Sequence, residues 1–284
     1  MIRSLPRSKA YNWSFNLFIL LYFTFLFAPL VVTCVLAFND SNFPALPWQG
    51  FSLDWFLADG PERVGLLHDA QLLRSIATSF ETAFFVSLLS VVVGTCASFL
   101  FERERFRFKG LLYFLMLAPL VIPGVILGIS QLLAANTAGM FFEDTFGLDF
   151  AVFRPSFWLV VLGQFSFIST FVTLVVSARL RKFDPSLEEA ALNLGATRLG
   201  VIRHVTLKFL RPAIIGAGAV AFLMSFENFN TTLFLVGSEP TLPINLYLQV
   251  RDGSTPIINA VSLTLIMGTS LLALVNFYFS GRGE

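Results

Sequence analysis

Charged residues are scarce in this sequence of 284 residues. Asp, Glu, Lys and Arg together make up 13% of it, whereas a soluble domain usually carries about a quarter. Hydrophobic residues make up 56%, and phenylalanine alone occurs 34 times, which argues against a disordered chain. So little charge cannot cover the surface of a water-soluble fold of this size, so lipid must be the solvent for much of that surface.

Residues that carry metal, redox or nucleotide chemistry are also few. Cys34 and Cys96 lie in apolar runs at different predicted depths, too far apart for a disulfide, whose Cα atoms lie within ~7 Å of each other. His68 and His204 lie in polar loops away from Cys or carboxylate clusters, so no metal site is expected. The phosphate-binding pattern G-x-x-x-x-G-K-[ST] is absent. We therefore expect no catalytic residue, cofactor or metal on this chain, and no nucleic-acid partner.

Six stretches are apolar over about 20 residues, the length that crosses the ~30 Å hydrocarbon core of a bilayer. They cover roughly residues 13–38, 75–101, 111–134, 156–178, 212–235 and 258–279. None of them alternates between polar and apolar residues, so each is predicted to be a helix. The predicted architecture is an all-α membrane protein with six transmembrane helices in a single domain, residues 1–284.

Lys and Arg, which concentrate on the cytoplasmic side of membrane proteins, indicate the orientation. With the N-terminus inside, most of the 19 Lys and Arg residues lie on the inner side, among them Arg3, Arg7 and Arg282. The exceptions are Arg63, Arg74, Arg154 and Arg251. The opposite orientation would invert this ratio, so both chain ends are predicted to lie inside.

The longest predicted inner connection, residues 179–211, contains the most specific local pattern. Asp184 suits the N-cap of a short helix and Pro185 suits its first turn. Gly195 suits the left-handed position that ends such a helix, and Thr197 can cap a second one. These signals predict a compact helix-turn-helix in residues 184–208. We call this segment the EAA-like loop, after its residues Glu189-Ala190-Ala191.

The first short helix of this loop carries the small residues Ala190 and Ala191. Small residues allow a partner to approach closely, and surface helices of this kind dock into grooves of other proteins. A loop that packs only on its own helix ends would show the same local signals. The physical pattern by itself leaves both interpretations open.

A resemblance favours docking. Glu189-Ala190-Ala191, three residues, then Gly195, nine residues, then Val205-x-Leu207 resembles the EAA motif of ABC-importer permeases, E-A-A-x₃-G-x₉-I-x-L-P. Lys208 stands where that family has the proline, and Pro212 follows. The motif implies a coupling helix that docks into the ATPase subunit. The residues it assigns to that contact are Glu188, Glu189, Ala190, Ala191, Leu194, Gly195 and Ala196.

The resemblance extends over most of the chain. The segment 242–260, with Leu242-Pro243, Tyr247, Val250-Arg251-x-Gly253-x-Thr255-Pro256 and Asn259-Ala260, is similar to the C-type permease of spermidine/putrescine importers. That family implies the type I importer (MetI-like) fold in the bacterial inner membrane. It also implies a second, non-identical permease, two ATPase copies that bind ATP and Mg, a periplasmic substrate-binding protein, and a small polar substrate, with a polyamine or related amine favoured.

Two acidic residues, Glu81 and Glu227, lie within predicted spans, where charges usually face a cavity or a partner. Both are predicted to lie near the outer surface. Glu227 and Asn230 are three residues apart, so a continuous helix would place them on one face. We expect Glu227, Asn228, Asn230 and Glu81 to line the translocation path. The alternatives are a hydrogen-bonded packing cluster around Glu227 and an ion pair between Glu81 and Arg74.

The third span contains Pro119 and Pro123 and, four residues apart, Gly124 and Gly128. Prolines kink membrane helices, and small residues at this spacing allow close helix packing. The pattern predicts a kinked, tightly packed helix. Such a kink could act as a hinge for alternating access or could be a fixed feature of the packing.

Two other functions compete with the permease interpretation. A stand-alone secondary transporter or channel would favour ionisable groups at the midplane and internal repeats, but the two acids lie high in the membrane and no repeat is visible. A membrane enzyme would need a nucleophile and a base at membrane depth, and both histidines lie in loops. The permease interpretation is the one that gives the EAA-like loop a purpose.

Overall fold

The structure, a computed structural model, describes residues 9–61, 63–253 and 256–280, and for residues 272–280 the backbone alone. The regular structure of these residues is helical, and the all-α prediction is confirmed. The helices are α1 (Lys9–Leu36), α2 (Asp54–Leu57), α3 (Ala70–Arg103), α4 (Lys109–Val121), α5 (Gly124–Phe146), α6 (Phe157–Leu180), α7 (Ser186–Asn193), α8 (Arg198–Val201), α9 (Leu207–Phe226), α10 (Thr232–Leu235), α11 (Leu242–Gly253) and α12 (Ile257–Ser280).

Five helical stretches of the described chain are long and apolar enough to cross a membrane: α1, α3, α5, α6 and the continuous run Arg198–Phe226. α4 and the described part of α12, Ile257–Leu271, are shorter apolar helices. The count of six spans and the orientation with both ends inside therefore stay predictions. Arg3, Arg7 and Arg282, which contribute to the orientation, lie outside the described residues.

The predicted third span, 111–134, is wrong as a single helix, because the chain breaks between α4 and α5. Pro123 has no N–H to donate and disfavours helical backbone in the residue before it. Ile122 accordingly is extended, with ψ of 130°. Close to the break, the Thr170 hydroxyl donates to the carbonyl oxygen of Met116 at 2.8 Å. The predicted kink is thus a full interruption, and α5 continues beyond the predicted end to Phe146.

The predicted fifth span, 212–235, is also interrupted. α9 ends at Phe226 and regular helix resumes at Thr232. The side-chain oxygen of Asn228 accepts bonds from the backbone N–H of Thr232 at 3.3 Å and from its hydroxyl at 2.9 Å. Asn and Thr side chains compete in this way with the backbone bonds of a helix. The prediction that Glu227 and Asn230 share one helix face is therefore wrong.

The chain folds as two compact units, and the first contains α1, α2, α12 and the loop between α1 and α3. Asn39, which is buried, organises the loop. Its side-chain nitrogen donates to the carbonyls of Ala45 at 3.4 Å and Pro47 at 3.2 Å, and its side-chain oxygen accepts from the N–H of Gln49 at 2.8 Å. The indole N–H of Trp55 donates to the Asn39 carbonyl at 3.1 Å. These bonds give the long, proline-containing loop a fixed shape.

The second unit, residues 74–247, is built around α6. Val172 and its neighbours along α6 are fully buried against Leu210, Ala217 and Ala221 of α9. α3 approaches α6 closely at Gly94, where an added Cβ would lie 2.9 Å from the Val172 side chain. α6 is therefore the central helix, which positions both the EAA-like loop that follows it and the interrupted helices that surround it.

Candidate functional site

The first short helix of the EAA-like loop, α7, begins and ends as predicted, whereas the second, α8, continues through a π-helical turn into α9. The Asp184 carboxylate accepts the backbone N–H of Ser186 at 3.0 Å, and this bond lowers the pKa of Asp184 below its usual range. Gly195 follows α7 with φ of 88°, in the left-handed region that suits glycine. The Thr197 hydroxyl accepts the N–H of Gly200 at 3.2 Å and so caps α8. The predicted helix-turn-helix is confirmed as a local structure.

This loop presents apolar side chains to its surroundings. Leu194 is 90% exposed and Leu199 is 75% exposed, a degree of exposure that is unfavourable in water for a cluster of apolar residues. The exposed residues of the predicted ATPase contact are Glu189, Ala190, Leu194, Gly195 and Ala196, and Ala191 is half-buried. Apart from Glu189, the exposed set consists of small and apolar residues.

Glu188 differs from the other residues of the predicted contact, because its carboxylate is directed into the protein. Its side chain is 25% exposed, and its Oε1 accepts from Arg103 Nη2 at 3.2 Å and from the Thr206 hydroxyl at 2.6 Å. Sequence reasoning missed both of these partners. Arg103 was one of several basic residues in a charged turn, and no local signal of Thr206 distinguishes it from other threonines.

The interruption between α9 and α10 has an inner side that is fully hydrogen-bonded. Gln164 of α6 is completely buried. Its Nε2 donates to the Thr232 hydroxyl at 2.8 Å, and its Oε1 accepts from the Ser225 hydroxyl. Thr232 in turn donates to Asn228. The packing-cluster alternative thus describes Ser225, Asn228 and Thr232, and Gln164 is the member that sequence reasoning missed.

The other side of the interruption carries free polar groups. Glu227 and Asn230 are both exposed. Within the described ion pairs, none includes Glu227. The polar stretch therefore divides into residues that hold the interruption in place and residues that face outward, where a lumen or a partner chain can meet them.

Glu81 on α3 is exposed as well. Its neighbour Phe80 packs edge-on against Phe226, with ring centroids 6.0 Å apart, so the positions just before Glu81 and Glu227 are in contact. Among the described residues Arg74 and Glu81 form no ion pair. The alternative in which Glu81 serves as a partner for Arg74 therefore has no support in the structure.

Two glycines of α5 pack directly against the interruption. A Cβ at Gly128 would lie 2.8 Å from the Thr231 carbonyl oxygen, and one at Gly124 would lie 3.0 Å from Asn230 Cβ. The Thr231 hydroxyl also donates to the Gly124 carbonyl at 3.4 Å. The predicted close packing is confirmed, and it occurs against non-helical backbone, which membrane proteins tolerate where other protein covers it.

The family described as "Binding-protein-dependent transport system inner membrane component" matches residues 90–281. This chain belongs to that family. It is a multi-pass permease subunit of a binding-protein-dependent ABC importer in the inner membrane, and it works with an ATPase and a substrate-binding protein. The family resemblance argued from the EAA-like loop is confirmed.

Several similar permeases are named for the transport of polyamines. The putrescine transport system permease PotI of Escherichia coli K12 is 32% identical over 268 residues, which cover 94% of this chain and 90% of PotI. The spermidine/putrescine transport system permease PotC of Haemophilus influenzae is 26% identical over 266 residues, which cover 92% of this chain and 94% of PotC. These relatives span almost the whole permease, including the interruption and the EAA-like loop.

Solved structures agree on the fold. A chain of a bacterial ABC transporter that imports the acidic polysaccharide alginate superimposes with a TM-score of 0.73 at 17% identity, over 95% of this permease and 93% of that chain. A chain of the MetNI methionine ABC transporter superimposes with a TM-score of 0.51 at 16% identity, over 73% of this permease and 90% of the MetNI chain. At these identities the likeness concerns the fold alone, and the MetI-like importer fold is confirmed.

Proposed function

We propose that this permease forms half of the translocation path for a small amine cation, a polyamine or a related amine. A second, non-identical permease supplies the other half. Glu227, an exposed carboxylate at the broken end of α9, is the observation that carries the proposal. The polyamine names of the similar permeases support the substrate class.

The chemistry of the site favours a cation. A carboxylate at membrane depth is costly unless a positive charge or water meets it. In the described part of the chain neither Glu227 nor Glu81 has an ion-pair partner. Asn228 adds no charge, and its oxygen is already bonded to Thr232. An ammonium group of a passing amine would supply the missing charge, and Asn230 would offer it a further hydrogen bond.

Energy for transport comes, in this proposal, from two ATPase copies that bind ATP and Mg. One copy docks on the exposed residues of this EAA-like loop, and the other docks on the corresponding loop of the second permease. The exposed Leu194 and the small residues around it support this assignment. The stand-alone transporter alternative is set aside, because the family is that of binding-protein-dependent importers.

Replacing Glu227 with glutamine is expected to lower uptake of labelled putrescine at least about tenfold, because the substrate loses a charge-assisted contact. Glu227→Asp keeps the charge and should retain most of the uptake. Uptake is measured in proteoliposomes that contain the assembled importer and its receptor. The control is Glu143→Gln, which removes an exposed carboxylate at the end of α5 and should not change uptake.

Assembly is measured in parallel as the amount of ATPase and second permease that co-purifies with each variant. Normal assembly together with normal putrescine uptake in Glu227→Gln would contradict the assignment of Glu227 to the path. Normal assembly with lost uptake in both Glu227→Gln and Glu143→Gln would indicate a general effect of surface charge and would also contradict it.

A further inference from the structure

An apolar groove of about 830 Å³ lies between the predicted inner end of α3 and the beginning of α9. Val92, Cys96 and Phe99 line it from α3, and Ile202, Leu207 and Ile214 line it from the opposite side. Cys96 and Cys34 are free thiols, and Cys96 is exposed rather than packed. α3 and α9 are in contact beside the groove, since a Cβ at Gly218 of α9 would lie 3.1 Å from the Val91 side chain, but attraction between apolar atoms falls steeply across a gap, so the groove itself adds little apolar contact between its walls.

A polar contact bridges this groove at its end. Arg103, in the last turn of α3, donates to Glu188 of α7 at 3.2 Å, and both residues line the groove. The Arg103 guanidinium also lies over the Phe183 ring, 5.5 Å from its centroid, which restricts its position. The side chains of Arg103 and Glu188 are 29% and 25% exposed, so water screens the pair only in part.

Glu188 has a second partner at the beginning of α9. The Thr206 hydroxyl is fully buried and donates to the same Glu188 oxygen at 2.6 Å. Thr206 closes a π-helical turn, Ile202–Thr206, which leads directly into α9. Such turns inside helices occur frequently at functional sites. One carboxylate therefore joins α7, the end of α3 and the beginning of the helix whose other end carries Glu227.

The end of α3 is held on its other side by α6. Arg181 donates from Nε at 2.9 Å and from Nη2 at 2.8 Å to Glu102 Oε1. Glu102 directly precedes Arg103 in α3. The ion pair connects α3 to the end of the central helix of the unit.

We propose that Glu188 is a positioning residue that couples the EAA-like loop to α3 and α9 through Arg103 and Thr206, and that it does not contact the ATPase. Charge-assisted hydrogen bonds are directional and strong, so they can pull α3 when α7 moves. The proposal rests on the docking of the ATPase at this loop. It removes Glu188 from the set of contact residues that the EAA resemblance assigns.

A charge exchange tests this coupling in the complete importer, reconstituted with its ATPase, second permease and receptor. Arg103→Glu, which loses one charge-assisted bond, should lower the putrescine transported per ATP hydrolysed about tenfold, and Glu188→Arg, which loses the bonds from both Arg103 and Thr206, should lower it at least as much, while the ATPase stays bound. The double variant restores the pair with its charges reversed. The Thr206 hydroxyl, which donates to Glu188 in the native protein, can instead accept a bond from the guanidinium introduced at position 188, so most of the coupling should be recovered. Thr206→Ser keeps the hydroxyl and should remain coupled, whereas Thr206→Val should not.

The matched control is Glu104→Arg. Glu104 lines the same groove and lies next to Arg103 in the chain, but it forms no ion pair among the described residues. This variant should leave the transport per ATP unchanged. A general effect of added positive charge in this region would appear in the control, whereas loss of the specific pair would not.

The possible outcomes separate this proposal from docking itself. If Leu194→Glu releases the ATPase but the single variants at Arg103 and Glu188 stay fully coupled, docking stands and the role of Glu188 is wrong. A double variant that is as uncoupled as the single variants would also overturn that role. If Leu194→Glu leaves the ATPase bound, the docking site is wrong and the role of Glu188 falls with it.

Discussion

Replacing Leu194 with glutamate is expected to release the ATPase from the purified importer. Leu194 is 90% exposed, so the substitution disturbs little packing within the permease. In the docked complex the same side chain would be buried at the centre of an apolar contact, where a residue can contribute about 2 kcal/mol or more, or about 30-fold in affinity. A buried carboxylate without a partner adds a further penalty.

The amount of ATPase that remains with the tagged permease after detergent purification measures this effect. The control is Leu148→Glu, which places the same change at another exposed leucine beside a helix-ending glycine, Gly147. Leu148 lies on the predicted outer side, so the Leu148→Glu variant should retain the ATPase fully. Equal retention of the ATPase by both variants would show that the EAA-like loop is not the docking site.

Replacing Gly128 with alanine is expected to destabilise the permease by about 1–3 kcal/mol, the usual range for overpacking. The added Cβ would lie 2.8 Å from the Thr231 carbonyl oxygen. This oxygen belongs to the non-helical backbone between α9 and α10, which Gln164 and Asn228 hold in place. The backbone therefore cannot move away without loss of buried hydrogen bonds, so the strain is not easily relieved.

Gly216→Ala is the matched control for that change. Gly216 also lies within a long apolar helix, but a Cβ there meets no atom within 4 Å. Because alanine is favoured over glycine inside a helix by about 0.5–1 kcal/mol, this variant should be neutral or slightly more stable. Thermal unfolding of the purified permease in detergent measures both variants. A Gly128→Ala protein as stable as Gly216→Ala would contradict the close packing seen at the interruption.

The local features of the EAA-like loop could be predicted because their causes lie within a few residues. Thr197 caps α8 through a residue three positions away, and Gly195 ends α7 through its own backbone conformation. The approximate positions of the apolar stretches could also be predicted, since a run of about 20 apolar residues needs no information from the rest of the chain, but the breaks inside the third and fifth stretches could not be located in this way.

The interruptions of the helices differ in how far the sequence could indicate them. Pro123 carries a local signal for the break after α4. The break after α9 depends on Gln164, which bonds to Thr232 across 68 positions of the chain. A hydropathy average over the fifth span carries no information about a contact with a residue so far away in the sequence. The isolated amide of Gln164 inside an apolar run was the available signal, because buried polar groups require partners.

The direction of Glu188 could not be predicted either. Its neighbour Glu189 has the same side chain and differs in helix position alone, yet Glu189 is exposed. Glu188 faces inward because Arg103, 85 positions away, and the buried Thr206 offer it donors. The family motif predicts which helix docks, whereas the three-dimensional contacts indicate which of its carboxylates belongs to the permease interior.

The composition of the intact complex tests the central claim most directly. The tagged permease is extracted from its native membranes in mild detergent, and the mass of the complex and its subunits are determined. We expect one copy of this chain, one different permease and two ATPase copies, with uptake that requires ATP and the receptor after reconstitution. A chain that is recovered alone, and that transports putrescine alone without ATP, would contradict the account.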